Sequence, residues 1–269
     1  MKYERQIAIE TAERRRALGG LTLYDCNIWL GRGKEFPLAP GIGGEDLGEI
    51  FSKYSIRGGM VSHWYAAGLS AQDANETLVR EEGAFPGNTY SIWTGLPLLP
   101  REQDPLPGYG APPGKMGGVR VFPKTHRYEC ASWVLGDLCS WCVEYKVPLF
   151  LWHVEANWQG LYGIAREFPG LTIVVESQWQ KILYHNRTLY NLMARCPNVC
   201  IELSNFTGQD FLSHAVQTFG AERFLFGSFL PMNDPFVPIG MLLDADISME
   251  EKKLIAGENL RRILGRVKK

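Results

Sequence analysis

Short apolar runs rich in β-branched and aromatic residues recur along the chain, separated by stretches whose apolar residues repeat at helical intervals. Eight of these runs predict strands, at 21–28, 59–65, 89–96, 118–122, 147–153, 171–176, 198–204 and 223–228. The segments between them predict helices at 45–54, 71–82, 132–146, 161–168, 188–196, 210–219 and 249–264. The last helix opens on Ser248 with Glu250 and Glu251 in its first turn, a capping pattern that satisfies the free N–H groups. Pro-Gly at 169–170, Pro-Asn at 197–198 and Gly-Ala at 220–221 mark where a helix stops and a buried parallel strand begins. Eight strand–helix alternations imply a closed (β/α)8 barrel, an α/β fold, more readily than an open sheet. No Gly-rich phosphate loop opens the first helix, so a dinucleotide-binding fold has no support. The Pro- and Gly-rich stretch 96–118 replaces most of the third helix and is expected to fold over the barrel mouth.

Composition changes this picture little. The chain has 269 residues, 45% of them hydrophobic, enough for one large core. Residues 1–20 read as a charged N-terminal helix and 21–269 as the barrel; the first twenty lack the apolar segment of a signal peptide. Lys and Arg total 28 against 29 Asp and Glu, so no overall field gathers nucleic acid or an anionic membrane. No apolar run approaches the roughly 20 residues that span a bilayer. The expectation is a cytoplasmic protein that handles a small molecule or another protein, with a homodimer possible. Six cysteines in a chain of this length read as buried thiols; Cys139 and Cys142 have redox spacing but lie inside the predicted helix 132–146.

A barrel keeps its chemistry at the C-terminal ends of its strands. That rule nominates Asn27 and Trp29 after the first strand, His63 on the second, and Arg120, Lys124 and His126 around the end of the fourth. His153 and Trp158 follow the fifth, Glu176 ends the sixth, Glu202 the seventh, and Ser228 the eighth. Arg120 and Lys124 could grip an anion, His153 could serve as acid or base, and Glu176 and Glu202 as its partner carboxylates. Asn27, Trp29, His63, His126, Trp158 and Ser228 complete the expected substrate wall. A structural role competes with each: Arg120 could equally fill the barrel by pairing with Glu176 or Glu202.

Residues 220–231 and 255–264, the latter carrying an Asn259-Leu-Arg-Arg262 run, resemble the last strand and closing helix of the amidohydrolase-related branch of the amidohydrolase superfamily. Tyr24-Asp-Cys-Asn-Ile-Trp-Leu-Gly31 stands where that branch carries its Asp-x-His-x-His-x-Gly signature. The resemblance implies a metal-dependent hydrolase or decarboxylase on a (β/α)8 barrel. It places Asn27 and Trp29 at the first-strand histidine pair, His153 at the fifth-strand histidine, Glu176 or Ser177 at the sixth, and Phe229 at the eighth-strand aspartate. Most metal ligands of the family are thus replaced, and tryptophan and phenylalanine offer a metal no lone pair. The expectation is a hydrolase or lyase without cofactor, acting on a small carboxylated substrate through His153, Glu176 and Glu202. The alternatives are a catalytically inactive ligand-binding or partner barrel, and a hydrolase whose single divalent metal sits in a rearranged site of His153, Glu176 and Glu202.

Overall fold

The structure is a computed structural model and describes residues 13–14, 16–33, 39–99, 106 and 110–269. Eight strands lie in one sheet in chain order: β1 (Leu23–Leu30), β2 (Ile56–His63), β3 (Thr89–Thr94), β4 (Met116–Val121), β5 (Leu149–Trp152), β6 (Ile173–Glu176), β7 (Val199–Glu202) and β8 (Phe224–Leu225). Every neighbouring pair is parallel. The seam back to β1 is made by Cys26 N–H donating to the Phe226 carbonyl (3.0 Å), Trp29 N–H donating to the Leu230 carbonyl (2.8 Å), and a parallel bridge between Ile28 and Leu230. The expected barrel is therefore present, with all eight strands where periodicity put them.

Helices α1 (Leu47–Tyr54), α2 (Ala71–Glu81), α3 (Ser132–Tyr145), α4 (Trp158–Glu167), α5 (Asn186–Arg195), α6 (Phe211–Phe219), α7 (Phe236–Asp244) and α8 (Met249–Lys253) fill the connections. The chain continues from α8 through a π-helical turn, Leu254–Glu258, into α9 (Asn259–Leu264). Helix α7 was not anticipated, because Pro238 and Gly240 interrupt its pattern; a proline in the first turn costs no hydrogen bond. The Ser248 cap is formed, its hydroxyl accepting from Glu251 N–H. The expected N-terminal helix lies mostly outside the described residues; 16–19 are helical. Most of 100–109 is also outside them. What is described nearby packs on the barrel's flank rather than over its mouth: Leu106 is buried in the outer core, and the Gly110 carbonyl accepts from Trp141 Nε1 on α3 at 2.9 Å. The six cysteines are free and buried. Among the described residues no helix is long and apolar enough to cross a membrane.

Alternation along the strands divides the barrel interior into layers. The bottom layer is apolar, with Cys26, Met60, Phe150, Val174, Cys200 and Leu225, closed from below by Leu260 and Ile263 of α9. Above it, on β2, β4, β6 and β7, stand Ser62, Arg120, Glu176 and Glu202, all buried. The top layer is aromatic: Trp29, Trp64, Phe122, Trp152 and Phe229. In β1 Cys26 joins the bottom layer and Trp29 the top, an odd separation that a regular strand cannot give. The register shift between Asp25 and Ile28 against β2 supplies the extra residue.

Candidate active site at the C-terminal face

Arg120 rises from the C-terminal end of β4 into the polar layer and is 1% exposed. Its Nε donates to Glu176 Oε2 at 2.9 Å and its Nη2 to Glu176 Oε1 at 2.5 Å, while Nη1 donates to Ser62 Oγ. The guanidinium lies 4.5 Å over the Trp29 ring. Three of the five guanidinium N–H donors are engaged and an indole covers its face, so the buried Arg120 meets protein rather than an open pocket. Of the two roles expected for Arg120, the ion pair with Glu176 is the one formed in this structure. Glu176 is correspondingly spent and is no free partner for an imidazole.

Glu202 is also enclosed. Its carboxylate accepts from the backbone N–H groups of Ser177 (3.0 Å) and Ser204 (2.6 Å) and from both serine hydroxyls (3.2 and 3.0 Å). Burial, with Glu176 adding to it, raises its pKa to about 7. Asp25 accepts from the N–H groups of Asn27 (2.9 Å) and Ser228 (3.0 Å) and from the Ser228 hydroxyl, so Ser228 braces the β8–β1 seam rather than lining a pocket. Burial lifts Asp25 to about 6.

Asn27 and Trp29 are wholly buried and address each other, Trp29 Nε1 donating to Asn27 Oδ1 at 2.8 Å. The Asn27 amide also meets that of Gln178 at 3.1 Å. Trp29 packs against Trp64, Trp152 and Phe229 with ring centroids 4.5, 5.2 and 6.5 Å away. These rings occupy the axis where a substrate wall was expected, so Asn27 and Trp29 are core in this structure. Sequence reasoning overlooked Trp64 and Ser62. The period-two pattern of β5, with Phe150 inside, agrees with the packing role expected for Trp152.

His153 opens the turn after β5. Its Nδ1 lies 3.2 Å from the Glu176 carbonyl, its ring faces His185 at 5.9 Å, and its Nε2 is buried without a hydrogen-bond partner. Burial is the main reason its pKa falls to about 4, with His185 and Lys124 pushing the same way. Trp158, at the start of α4, lies beside His185 with ring centroids 5.6 Å apart. Lys124 is exposed and donates Nζ to the carbonyl of Val154, the residue after His153. His126 joins Nε2 to the Ala66 carbonyl at 2.9 Å, and burial lowers its pKa. His63 accepts from Tyr65 N–H at 3.2 Å, and burial takes it to about 4. The His63 ring leans on Gly31, where a Cβ would stand 2.6 Å from Nε2, so only glycine, at φ +76°, fits that turn. The structure thus draws His153, Lys124 and Trp158 to one side of the mouth and sets His63 and His126 into separate packed positions.

An eight-stranded parallel barrel with its ionisable groups at the C-terminal strand ends defines the class: a (β/α)8 barrel protein with its candidate site at that face. The chain belongs to the amidohydrolase family, whose model, described as Amidohydrolase, matches residues 73–266. No curated protein matches it in sequence. Among solved structures it is similar to amidohydrolase 2 from Bifidobacterium longum subsp. infantis, at 15% identity and TM-score 0.67, over 91% of this chain and 99% of that one. It is similar to a 5-carboxyvanillate decarboxylase from Novosphingobium aromaticivorans, solved with bound manganese and 3-methoxy-4-hydroxy-5-nitrobenzoic acid (13% identity, TM-score 0.68, 91% and 97% covered). A dihydroxybenzoic acid decarboxylase from Polaromonas, solved with bound manganese and 2-nitroresorcinol, gives 13% identity and TM-score 0.61 over 91% and 97%.

The manganese in those two structures overturns the expectation that a barrel of this kind works without a cofactor. Among the described residues no three His, Cys, Asp or Glu side chains are grouped to hold an ion, so the alternative set of His153, Glu176 and Glu202 is not assembled. The carboxylates of Asp25, Glu176 and Glu202 are taken by Ser228, Arg120 and the two serines.

Proposed function

We propose that the chain is a hydrolase or lyase acting on a small carboxylated substrate at the β4–β5 side of the barrel mouth, with His153 moving the proton and Lys124 drawing in the carboxylate. The observation that carries this reading is the His153 imidazole. A hydrogen bond from Nδ1–H to the Glu176 carbonyl leaves the Nε2 lone pair without a partner. Burial keeps the ring neutral at pH 7, so it accepts a proton, and a buried imidazolium returns it readily. The solved decarboxylases on this barrel act on aromatic acids, which makes loss of CO2 with a proton replacing it on carbon the first chemistry to try.

The test is turnover of 5-carboxyvanillate, 2,6-dihydroxybenzoate, lactones and amides by purified protein, each with and without added manganese. Replacing His153 by Gln is expected to cut kcat by about 100-fold or more, and Lys124→Gln to raise KM with kcat little changed. Inertness toward every substrate in both arms overturns the reading. One observation favours a second reading, a ligand-binding or partner barrel without turnover: the axis is filled by aromatic rings. Ligand binding without turnover in the same assays selects it. Homodimerisation is a further proposal, checked by light scattering of the pure chain.

A further inference from the structure

A cavity of about 730 Å3 opens off the barrel axis, between the loop after β4 and the start of α4. Lys124 and Arg127 line it from one side and Trp133 from another. Among the described residues neither cation has a carboxylate within ion-pair distance, the ion pairs being Arg14–Asp244, Arg120–Glu176 and Lys253–Glu250. Two acids share the cavity. Glu155 is turned to Thr125, accepting from its N–H at 2.9 Å and its hydroxyl at 2.6 Å, and Glu129 stands exposed at the rim. Arg127 has φ +60°, a backbone state that branched and bulky residues hold only when their surroundings impose it. Here the imposition is a tight turn: Arg127 N–H donates to the Lys124 carbonyl at 3.3 Å and Tyr128 N–H to the Pro123 carbonyl at 2.9 Å. The turn brings the two cations of the loop to the same cavity. Trp133, in the first turn of α3, is 81% exposed, a large apolar ring left in water beside them.

We propose that this cavity binds small aromatic carboxylates, the acid group on Lys124 and Arg127 and the ring against Trp133. Paired cations recognise a carboxylate, and an indole face offers an aromatic ring a stacking surface. The inference deepens the carboxylated-substrate reading above and rests on it for ligand class; it adds the cavity, Arg127 and Trp133. It places the acid beside the turn that carries His153 and outside the filled axis.

The experiment is calorimetric titration of the full chain with benzoate and with benzamide, its neutral isostere, at constant ionic strength. Benzoate is expected to bind at least about tenfold more tightly than benzamide. The double variant Lys124→Gln/Arg127→Gln is expected to lose about tenfold in benzoate affinity, and Trp133→Leu to lose affinity for both ligands, with unfolding midpoints unchanged in each. No benzoate binding up to about 10 mM, equal affinity for the two ligands, or benzoate affinity indifferent to the double variant overturns the proposal. The readout is binding, so it separates from catalysis: decarboxylation without benzoate binding here defeats this site alone, and benzoate binding without turnover of any acid defeats the catalytic reading alone.

Discussion

Arg120 reaches the barrel axis from β4 and uses Nε, Nη1 and Nη2 there, on Glu176 and Ser62. Removing one member of a buried ion pair strands the other, which costs about 3–5 kcal/mol, whereas replacing both by apolar groups of similar volume is near neutral. Arg120→Met is therefore expected to lower unfolding stability by several kcal/mol, and Arg120→Met/Glu176→Leu to recover most of the loss. Urea denaturation of the two variants measures this directly. A single variant as stable as the parent would mean that Glu176 is protonated or hydrated in the folded chain. Arg120 stayed open between two roles in the sequence because an arginine at a strand end has the same local signature whether it meets a ligand or a glutamate 56 positions away.

Two glycines at the element scale give opposite expectations within one helix. A Cβ at Gly160, in the first turn of α4, would stand 1.6 Å from the Cys130 carbonyl, so α4 lies on the loop leading to α3 at a distance only glycine allows. At Gly163, three residues later, a Cβ meets nothing within 4 Å. Gly160→Ala is expected to destabilise the chain by more than 2 kcal/mol, roughly the range for a backbone forced apart, and Gly163→Ala to stabilise it by about 0.5–1 kcal/mol through helix propensity. Thermal unfolding of the pair tests the α3–α4 packing. Equal effects would refute it. Helix α4 itself was legible from its apolar spacing, but the functional reach of its neighbourhood was not. Arg127 and Trp133 lie only six positions apart, but the cavity they share is completed by Glu155 and Asn157, which only the docking of the β5–α4 loop brings there.

For the whole molecule, buried acids and buried imidazoles act on stability in opposite directions. Asp25 and Glu202 have folded pKa values raised to about 6 and about 7, so the folded state holds their protons more tightly than the unfolded chain, and their contribution is lost as pH rises from about 4 to about 7. His63 and His153 are lowered from 6.5 to about 4, so the unfolded chain takes their protons first, and their contribution grows as pH rises from about 4 to 6.5. The two trends overlap and offset, giving an expected shallow dependence of the urea midpoint between pH 4.5 and 6.5. Glu202→Gln removes a falling contribution and should make stability climb with pH relative to the parent, while His63→Gln should make it decline. Parallel profiles for the three proteins would show that these groups titrate as they do in the unfolded chain.

The order of the eight strands, all the long helices between them except α7 and the set of polar residues at the strand ends were determined by the sequence alone, because period-two and helical spacings, glycine–proline punctuation and caps are local and act within a dozen residues. The family resemblance in the last strand and closing helix was legible for the same reason. Tertiary structure alone decided which strand-end residues are core. Closing the barrel brings Arg120 to Glu176, Asp25 to Ser228 across 203 positions, and five aromatic rings to one axis. A bulge in β1 then turns Trp29 inward against simple alternation. Such contacts depend on register and closure, which no short window of residues contains, and they move the open, charged cavity away from the axis to the loop that carries Lys124 and Arg127.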